Sequence, residues 1–102
     1  MDHRRKLLRT LASSIILYER IETSFANARA ARAYVEKAIT RAKENSLQNR
    51  RLLLSKLSAM AAKKVLEVLG PKYKDRKGGY TSVYKSVSRQ GDRAKLARIS
   101  LL

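Results

Sequence analysis

From Leu7 to Leu69 the apolar residues recur mainly at three- and four-residue spacing, and beyond Gly70-Pro71 they recur at every second position. This change of period constrains the fold more than any other feature. Side chains three and four apart share one helix face, whereas side chains two apart share one sheet face. The pattern predicts helices first and sheet last. The expected class is α+β, with three to four helices packed on one face of a small three-stranded mixed sheet.

The individual elements come from the same spacing. Leu7, Leu8, Leu11, Ala12, Ile15 and Ile16 predict a first helix from about Arg4 to about Tyr18. Its basic first turn opposes the helix dipole, which makes sense beside a phosphate. Arg20 to Thr23 alternates and predicts a short strand, with Thr23 or Ser24 able to cap the next helix. That second helix is expected from about Phe25 to about Glu44, burying an alanine-rich stripe of Ala28, Ala31, Val35, Ala38, Ile39 and Ala42. Arg32 and Glu36 stand four apart and are expected to pair on its surface.

Ser46 can cap a third helix carrying Leu47, Leu53, Leu54 and Leu57, and Ser58 marks a break. A fourth helical segment carries Met60, Ala61, Val65, Leu66 and Leu69. Gly70-Pro71 is expected to end it, because glycine adopts the left-handed conformation past a helix end and proline cannot continue the helix. A basic loop occupies 72–79. Strands are expected over about 80–89 and 95–102, joined by a turn at Gln90-Gly91-Asp92-Arg93 into a hairpin. A hairpin alone is barely stable in water, so the early strand is expected to complete the sheet. One sheet face is then covered by helices and the other is free to meet a partner.

Charge supplies the second constraint. The chain has 24 Lys and Arg against 8 Asp and Glu, a net charge of +16 on 102 residues. Small soluble domains carry roughly 2–8. Such a particle repels itself, and a dense polyanion relieves the repulsion, nucleic acid being the usual candidate. The alternative reading of the charge is a solvated cationic surface. Hydrophobic residues make up 44%, too many for a disordered basic tail. The length suits one domain over 1–102, with no room for a large catalytic cleft.

Several function classes lose support. There is no Cys, so disulfides and thiolate metal sites are excluded. His3 is the sole histidine and has no second ligand nearby in sequence, so no metal is expected. The acids are dispersed, nothing suggests a tuned pair, and serine has no base beyond His3, so no catalytic residues are expected. No cofactor or small-molecule substrate is implied. No apolar run reaches the roughly 18–20 residues of a membrane span, and no cleavage site comes after Arg4-Arg5-Lys6. The expected location is the cytosol or a cytosol-derived compartment.

Candidate contacts are the cations and the segments that expose backbone. Arg4, Arg5 and Arg9 cluster at the front of the chain, as polyanion-tracking residues do. Arg50-Arg51 stands near a helix start and fits either a phosphate grip or a solvated helix face. In Arg76-Lys77-Gly78-Gly79-Tyr80, backbone without side chains can approach phosphate while flanking cations supply charge. Tyr80 or Tyr73 can stack on an unpaired base. An ordinary turn entering a strand fits the same residues. The phosphate-loop spacing with its Lys-Ser/Thr ending is missing.

Four C-terminal blocks go further. They are Leu69-Gly70-Pro71-Lys72-Tyr73, Arg76-Lys77-Gly78-Gly79-Tyr80-Thr81, Arg89-Gln90-Gly91-Asp92-Arg93-Ala94 and Ala97-Arg98-Ile99-Ser100-Leu101. In order and spacing they resemble the bacterial-type large-subunit ribosomal protein family L17. His3-Arg4 through Thr23, Ala28 through Lys43 and Asn49-Arg50-Arg51-Leu52 extend the resemblance over nearly the whole chain. The resemblance implies a structural constituent of the large subunit, in a cytoplasmic or organellar ribosome. It further implies binding to ribosomal RNA near the mouth of the nascent-peptide exit tunnel, beside other large-subunit proteins. The family carries a basic segment ahead of the His-Arg block, where this chain opens on Met1-Asp2, so contacts of that arm are not carried over.

On this reading Arg4, Arg5, Arg9, Arg50, Arg51, Lys72, Lys74, Arg76, Lys77, Lys85 and Arg89 neutralise phosphates, and Gly78, Gly79 and Tyr80 approach the RNA. Specificity then comes from RNA shape more than from a base code. A nucleoid-type or regulatory protein that binds DNA or RNA without catalysis fits the charge equally well. An enzyme acting on RNA lacks any acid–base or metal constellation.

Overall fold

A computed structural model of the chain describes residues 3–44, 46–85 and 96–102. Helix α1 spans His3–Tyr18 and buries Ala12, Ser13, Ile15 and Ile16. It ends at Glu19, whose φ of 65° is left-handed, and this sharp reversal launches strand β1 (Arg20–Ser24). The Glu19 amide still donates to the Ile15 carbonyl at 2.8 Å, and the Glu19 carbonyl accepts from Leu101, so the reversal is tied into the sheet. Ser24 then caps helix α2 (Phe25–Lys43) by accepting from the Asn27 amide at 3.2 Å.

Helix α2 buries Ala28, Ala31, Val35, Ala38, Ile39 and Ala42, the stripe expected from spacing. Alanines every three or four residues let neighbours approach closely, and α2 packs against α1, all three strands, the helix that opens at Leu47 and the helical segment over 65–72. Ser46 caps helix α3 (Leu47–Lys56) by accepting from Asn49, and Ser58 caps helix α4 (Ala59–Lys64) by accepting from Ala61. Leu57 ends the one helix and Ser58 starts the next.

The apolar residues that spacing gave to these two helices divide between two faces. Leu53 and Leu57 are buried, but Leu47 and Leu54 are exposed, as is Met60. Residues 47 and 54 are seven apart and 53 and 57 four apart, so helical spacing fits both faces equally. Only tertiary packing chooses between them.

Gly70-Pro71 does not end the fourth helix. Beyond Lys64 the helix widens into a π-turn over Val65–Leu69, then returns to α-geometry as α5 (Gly70–Lys72). The Gly70 amide donates to the Val65 carbonyl five residues back. Proline inside a regular helix clashes with the carbonyl four residues back, and the wide turn just before Pro71 relieves this. Gly70 has φ −55°, right-handed, so it is not a left-handed cap. A Cβ there would lie 2.8 Å from the Ala42 carbonyl oxygen, so glycine is demanded by contact with α2.

Strands β2 (Thr81–Lys85) and β3 (Leu96–Leu101) complete the sheet, in the order β1-β3-β2. Both neighbouring pairs are antiparallel, for example Ile21↔Ile99 and Val83↔Ile99. The α+β class stands, but the sheet is antiparallel throughout instead of mixed. β1 and β2 do run in the same direction, joined through the helices, but β3 lies between them. The expected turn at 90–93 and the outer parts of the hairpin strands, 86–89 and 95, lie outside the described residues. Ala97 and Ile99 are buried beneath the helices, while Arg20, Glu22, Tyr84 and Arg98 are exposed. Cross-strand pairing sets Glu22, Arg98 and Tyr84 in one row on that outer face.

Candidate nucleic-acid interface

The basic loop after α5 is held at both ends. At its entry the Tyr73 amide donates to the Leu69 carbonyl at 3.0 Å, and the Tyr73 hydroxyl donates to the Leu102 carbonyl. At its exit the Leu102 amide donates to the Tyr80 carbonyl at 2.9 Å. The Tyr73 and Tyr80 rings lie 5.2 Å apart at 51°, both almost wholly buried. Two amphipathic rings therefore act as pegs beneath the loop.

Tyr80, at 1% exposed, cannot offer its ring face to a base, and Tyr73, at 4%, cannot either. Their hydroxyls are engaged within the protein. The stacking expected of them is corrected on this ground. The aromatic side chains that are exposed among the described residues are Tyr18 and Tyr84, at 72% and 61%. Tyr84 lies on the outer face of the sheet opposite Arg98. Its signal in sequence was the alternation of the last segment, which puts residues 82 and 84 on the face opposite Thr81 and Val83.

Above these pegs Lys72, Lys74, Arg76 and Lys77 are exposed. Gly78 and Gly79 have φ of 128° and 65°, conformations that side-chain-bearing residues rarely adopt. No atom lies within 4 Å of where a Cβ would stand at either glycine, so the backbone there is open to close approach. Lys72 also covers the Tyr73 ring, 5.2 Å from its centroid.

Helix α2 supplies the floor. Its sole carboxylate, Glu36, accepts from the Tyr80 amide at 3.3 Å, the Thr81 amide at 3.1 Å and the Thr81 hydroxyl at 2.8 Å. Glu36 is thus committed to the strand entrance, and the expected surface pair with Arg32 is not among the ion pairs of the described residues. Lys43 donates to the Tyr80 hydroxyl at 2.8 Å and to the Arg76 carbonyl. Burial raises the Tyr80 phenol pKa, but hydrogen bonds with Lys43 and Thr40 and the Lys43 charge outweigh it, leaving the phenol below its ordinary value. Sequence read Glu36 only as a surface partner for Arg32, and it assigned neither Glu36 nor Lys43 a place at this site. The available hint was that Glu36 is the one acid in a strongly basic helix.

The other cations fall into separate groups. Arg4 and Arg5 are exposed in the first turn of α1, and Arg4 shares a cleft with Ala26 and Asn27 at the start of α2. Lys85 and Arg29 both sit over the Phe25 ring there, at 5.0 and 5.8 Å. The far end of α2, beside Arg76, is about 27 Å away at 1.5 Å per residue. Arg50 and Arg51 are exposed on α3, and Arg50 lines a cleft with Lys63 and Pro71, next to the basic loop. Lys37, Arg41 and Lys56 line a further groove between α2 and α3. Arg9 is half-buried and donates to the Leu57 carbonyl at 3.1 Å, so part of its function is to hold the α3–α4 junction. Arg89 lies outside the described residues. Among the described residues no group of three or more potential metal ligands occurs, and no helix is long and apolar enough to cross a membrane.

The fold and its surface define a small, strongly cationic α+β domain. The family described as Ribosomal protein L17 matches over residues 7–102. The chain is 48% identical over 104 residues to the large ribosomal subunit protein bL17 of Wolbachia pipientis subsp. Culex pipiens (strain wPip), covering 99% of this chain and 73% of that protein. It is 42% identical over 102 residues to the bL17 of Rickettsia bellii (strain OSU 85-389), covering 99% and 72%. The bL17 of Endomicrobium trichonymphae is 41% identical over 102 residues, covering 99% and 87%. The chain belongs to the ribosomal protein L17 family.

Proposed function

We propose that this protein is a non-catalytic structural constituent of the large ribosomal subunit in the cytoplasmic ribosome, and that it binds ribosomal RNA through its basic surface. The observation that carries the reading is the anchored loop. Lys72, Lys74, Arg76 and Lys77 face outward above two buried tyrosines, beside a glycine backbone open to close approach. Such an element suits a phosphate backbone: charge for affinity, fixed shape for orientation. Arg4, Arg5 and Lys85 near the start of α2, and Arg50 and Arg51 on α3, extend the contact. Cationic groups near both ends of α2, a helix about 27 Å long, then engage separate phosphates, which favours recognition of folded RNA by shape. A position near the exit tunnel rests on the family resemblance. Exposed Leu47, Leu54, Met60 and Val68 offer apolar area to neighbouring large-subunit proteins.

The test is binding to purified large-subunit ribosomal RNA across a salt series. If about six phosphates are neutralised, the log–log slope lies near −4 to −5. Binding that is indifferent to salt rejects the mechanism. Equal affinity for random duplex DNA points instead to a nucleoid-type protein, and co-sedimentation with large subunits after a high-salt wash supports the ribosomal reading.

A further inference from the structure

We propose that Glu36 is a positioning residue for RNA recognition, holding the basic loop in the shape in which it meets RNA. The inference rests on the reading that this loop contacts ribosomal RNA, and it assigns to an acidic residue a role that charge alone assigns to none.

The geometry is specific. Both carboxylate oxygens of Glu36 are used: Oε1 by the Thr81 amide and hydroxyl, Oε2 by the Tyr80 amide. Tyr80 and Thr81 come directly after Gly78-Gly79, the backbone with the least intrinsic preference for one conformation. Two helical turns further along α2, on the same face, Lys43 grips the same segment from the other side. It donates to the Tyr80 hydroxyl, and that hydroxyl in turn donates to the Arg76 carbonyl at 3.2 Å. The Lys43 ammonium also lies 5.1 Å from the Tyr80 ring centroid. One helix thus fixes 76, 80 and 81, and the stretch between them carries Lys77 and the two glycines.

The physical consequence is preorganisation. A loop that must be ordered when it binds loses affinity to the entropy of ordering, residue by residue. A loop already ordered by its own protein does not. The carboxylate has an electrostatic disadvantage for a protein that binds a polyanion, and charge alone would favour its removal.

That opposition makes the test decisive. Glu36→Gln and Glu36→Ala each raise the net charge of +16 by one unit. If only charge matters, both variants of the full chain bind large-subunit ribosomal RNA as tightly as the parent or more tightly, by the same factor. If Glu36 positions the loop, both bind more weakly in a graded way, about threefold for Gln, which keeps one acceptor oxygen, and about tenfold for Ala, which keeps none. Affinity for heparin, a polyanion without a defined fold, should meanwhile hold or rise. Amide hydrogen exchange at 77–81 should quicken in both, with the rest of the helical protection retained. Unchanged or tighter RNA binding despite quickened exchange overturns the proposal, and if Ala fails to fold, the Gln variant still decides. Failure of the parent chain to bind the RNA in a salt-dependent manner is a distinct outcome, which overturns the RNA-binding reading and this inference with it.

Discussion

The Gly70 backbone lies against the Ala42 carbonyl so closely that a Cβ on Gly70 would meet its oxygen at 2.8 Å and its carbon at 3.2 Å. Both atoms belong to backbone, and the Val65 carbonyl closes the third side at 3.2 Å, so no flexible side chain can yield. Gly70→Ala gains up to about 1 kcal/mol of helix propensity. Overpacking costs about 1–3 kcal/mol. Backbone contact at 2.8 Å sets that cost in the upper part of its range, about 2–3 kcal/mol, so the net expectation is a loss of about 1–2 kcal/mol and a melting temperature lower by at least about 4 °C. A melting temperature equal to or above that of the parent shows that α2 and α5 can part without penalty.

The junction between α3 and α4 is pinned from α1 at two adjacent points. Arg9 donates to the Leu57 carbonyl, and the Ser13 hydroxyl, 7% exposed, accepts from the Ser58 amide at 3.0 Å. Ser13→Ala leaves that amide without this partner and should cost about 1–2 kcal/mol, read as a lower urea midpoint at unchanged slope. Arg9→Ala should also destabilise, so a fall in RNA binding by that variant has to be compared with its loss of folding. Because the two bonds hold one junction, the double variant should lose less than the sum of the singles. Strict additivity means that the two contacts act independently.

How far the sequence reached depended on whether local spacing or distant partners decide a position. All six residues of the α2 stripe were legible because an isolated helix has one possible apolar face there. The caps at Ser46 and at Ser24, offered beside Thr23, were legible because a cap and its amide stand three residues apart, whereas Ser58 read only as a break. The leucines of α3 were not, since both of its faces carry apolar residues at helical spacing. Gly70-Pro71 read locally as a stop, whereas the contact that explains the glycine is with Ala42 in another helix. The candidate site divides in the same way. The exposed cations of 72–77 could be read from composition, but Glu36 meets partners 44 and 45 residues away, and nothing in its neighbourhood announces them. Tyr80 looked like a contact because it stands after two glycines, and its burial is set by Tyr73, Lys43 and the C-terminal strand.

Tyr84 takes the place that Tyr80 vacates as the aromatic candidate. It is 61% exposed on the outer sheet face, with Arg98 as its cross-strand partner and Ser82 and Ser100 paired in the next row. Stacking of a base on such a ring contributes about 1–3 kcal/mol. Tyr84→Ser should therefore weaken RNA binding about fivefold or more, while Tyr84→Phe retains the ring and most of the affinity. The salt slope should hardly change, because no charge is removed. Equal affinity of the Ser and parent proteins removes the sheet face from the interface.

Exposed loop cations should behave in the opposite way. Lys74→Ala and Lys77→Ala remove side chains that carry no hydrogen bond or ion pair to hold the fold among the described residues. Each should reduce the steepness of the salt slope by about 1 if it meets a phosphate, at little change in melting temperature. A slope unaltered in both variants places the phosphate contacts elsewhere on the surface.

Two tyrosines should separate on alkaline titration. Burial raises the Tyr34 phenol, with the Arg9 charge opposing it in part, whereas Lys43 and Thr40 bring Tyr80 below its ordinary value. For Tyr80 the unfolded chain holds the proton to higher pH than the folded one. Its linkage contribution is therefore full above the unfolded value near 10 and lost as pH falls through the lower folded value. For Tyr34 the sign reverses: its contribution is full below the unfolded value and lost as pH rises through the higher folded value. Tyrosinate absorbance should show this directly. The Tyr80 phenol should ionise before the Tyr34 phenol, so Tyr80→Phe should remove amplitude from an earlier part of the curve than Tyr34→Phe does. If the amplitude lost in Tyr80→Phe lies no earlier than that lost in Tyr34→Phe, the Lys43 ammonium does not stabilise a phenolate at Tyr80, and the contact between α2 and the basic loop is weaker than its geometry indicates.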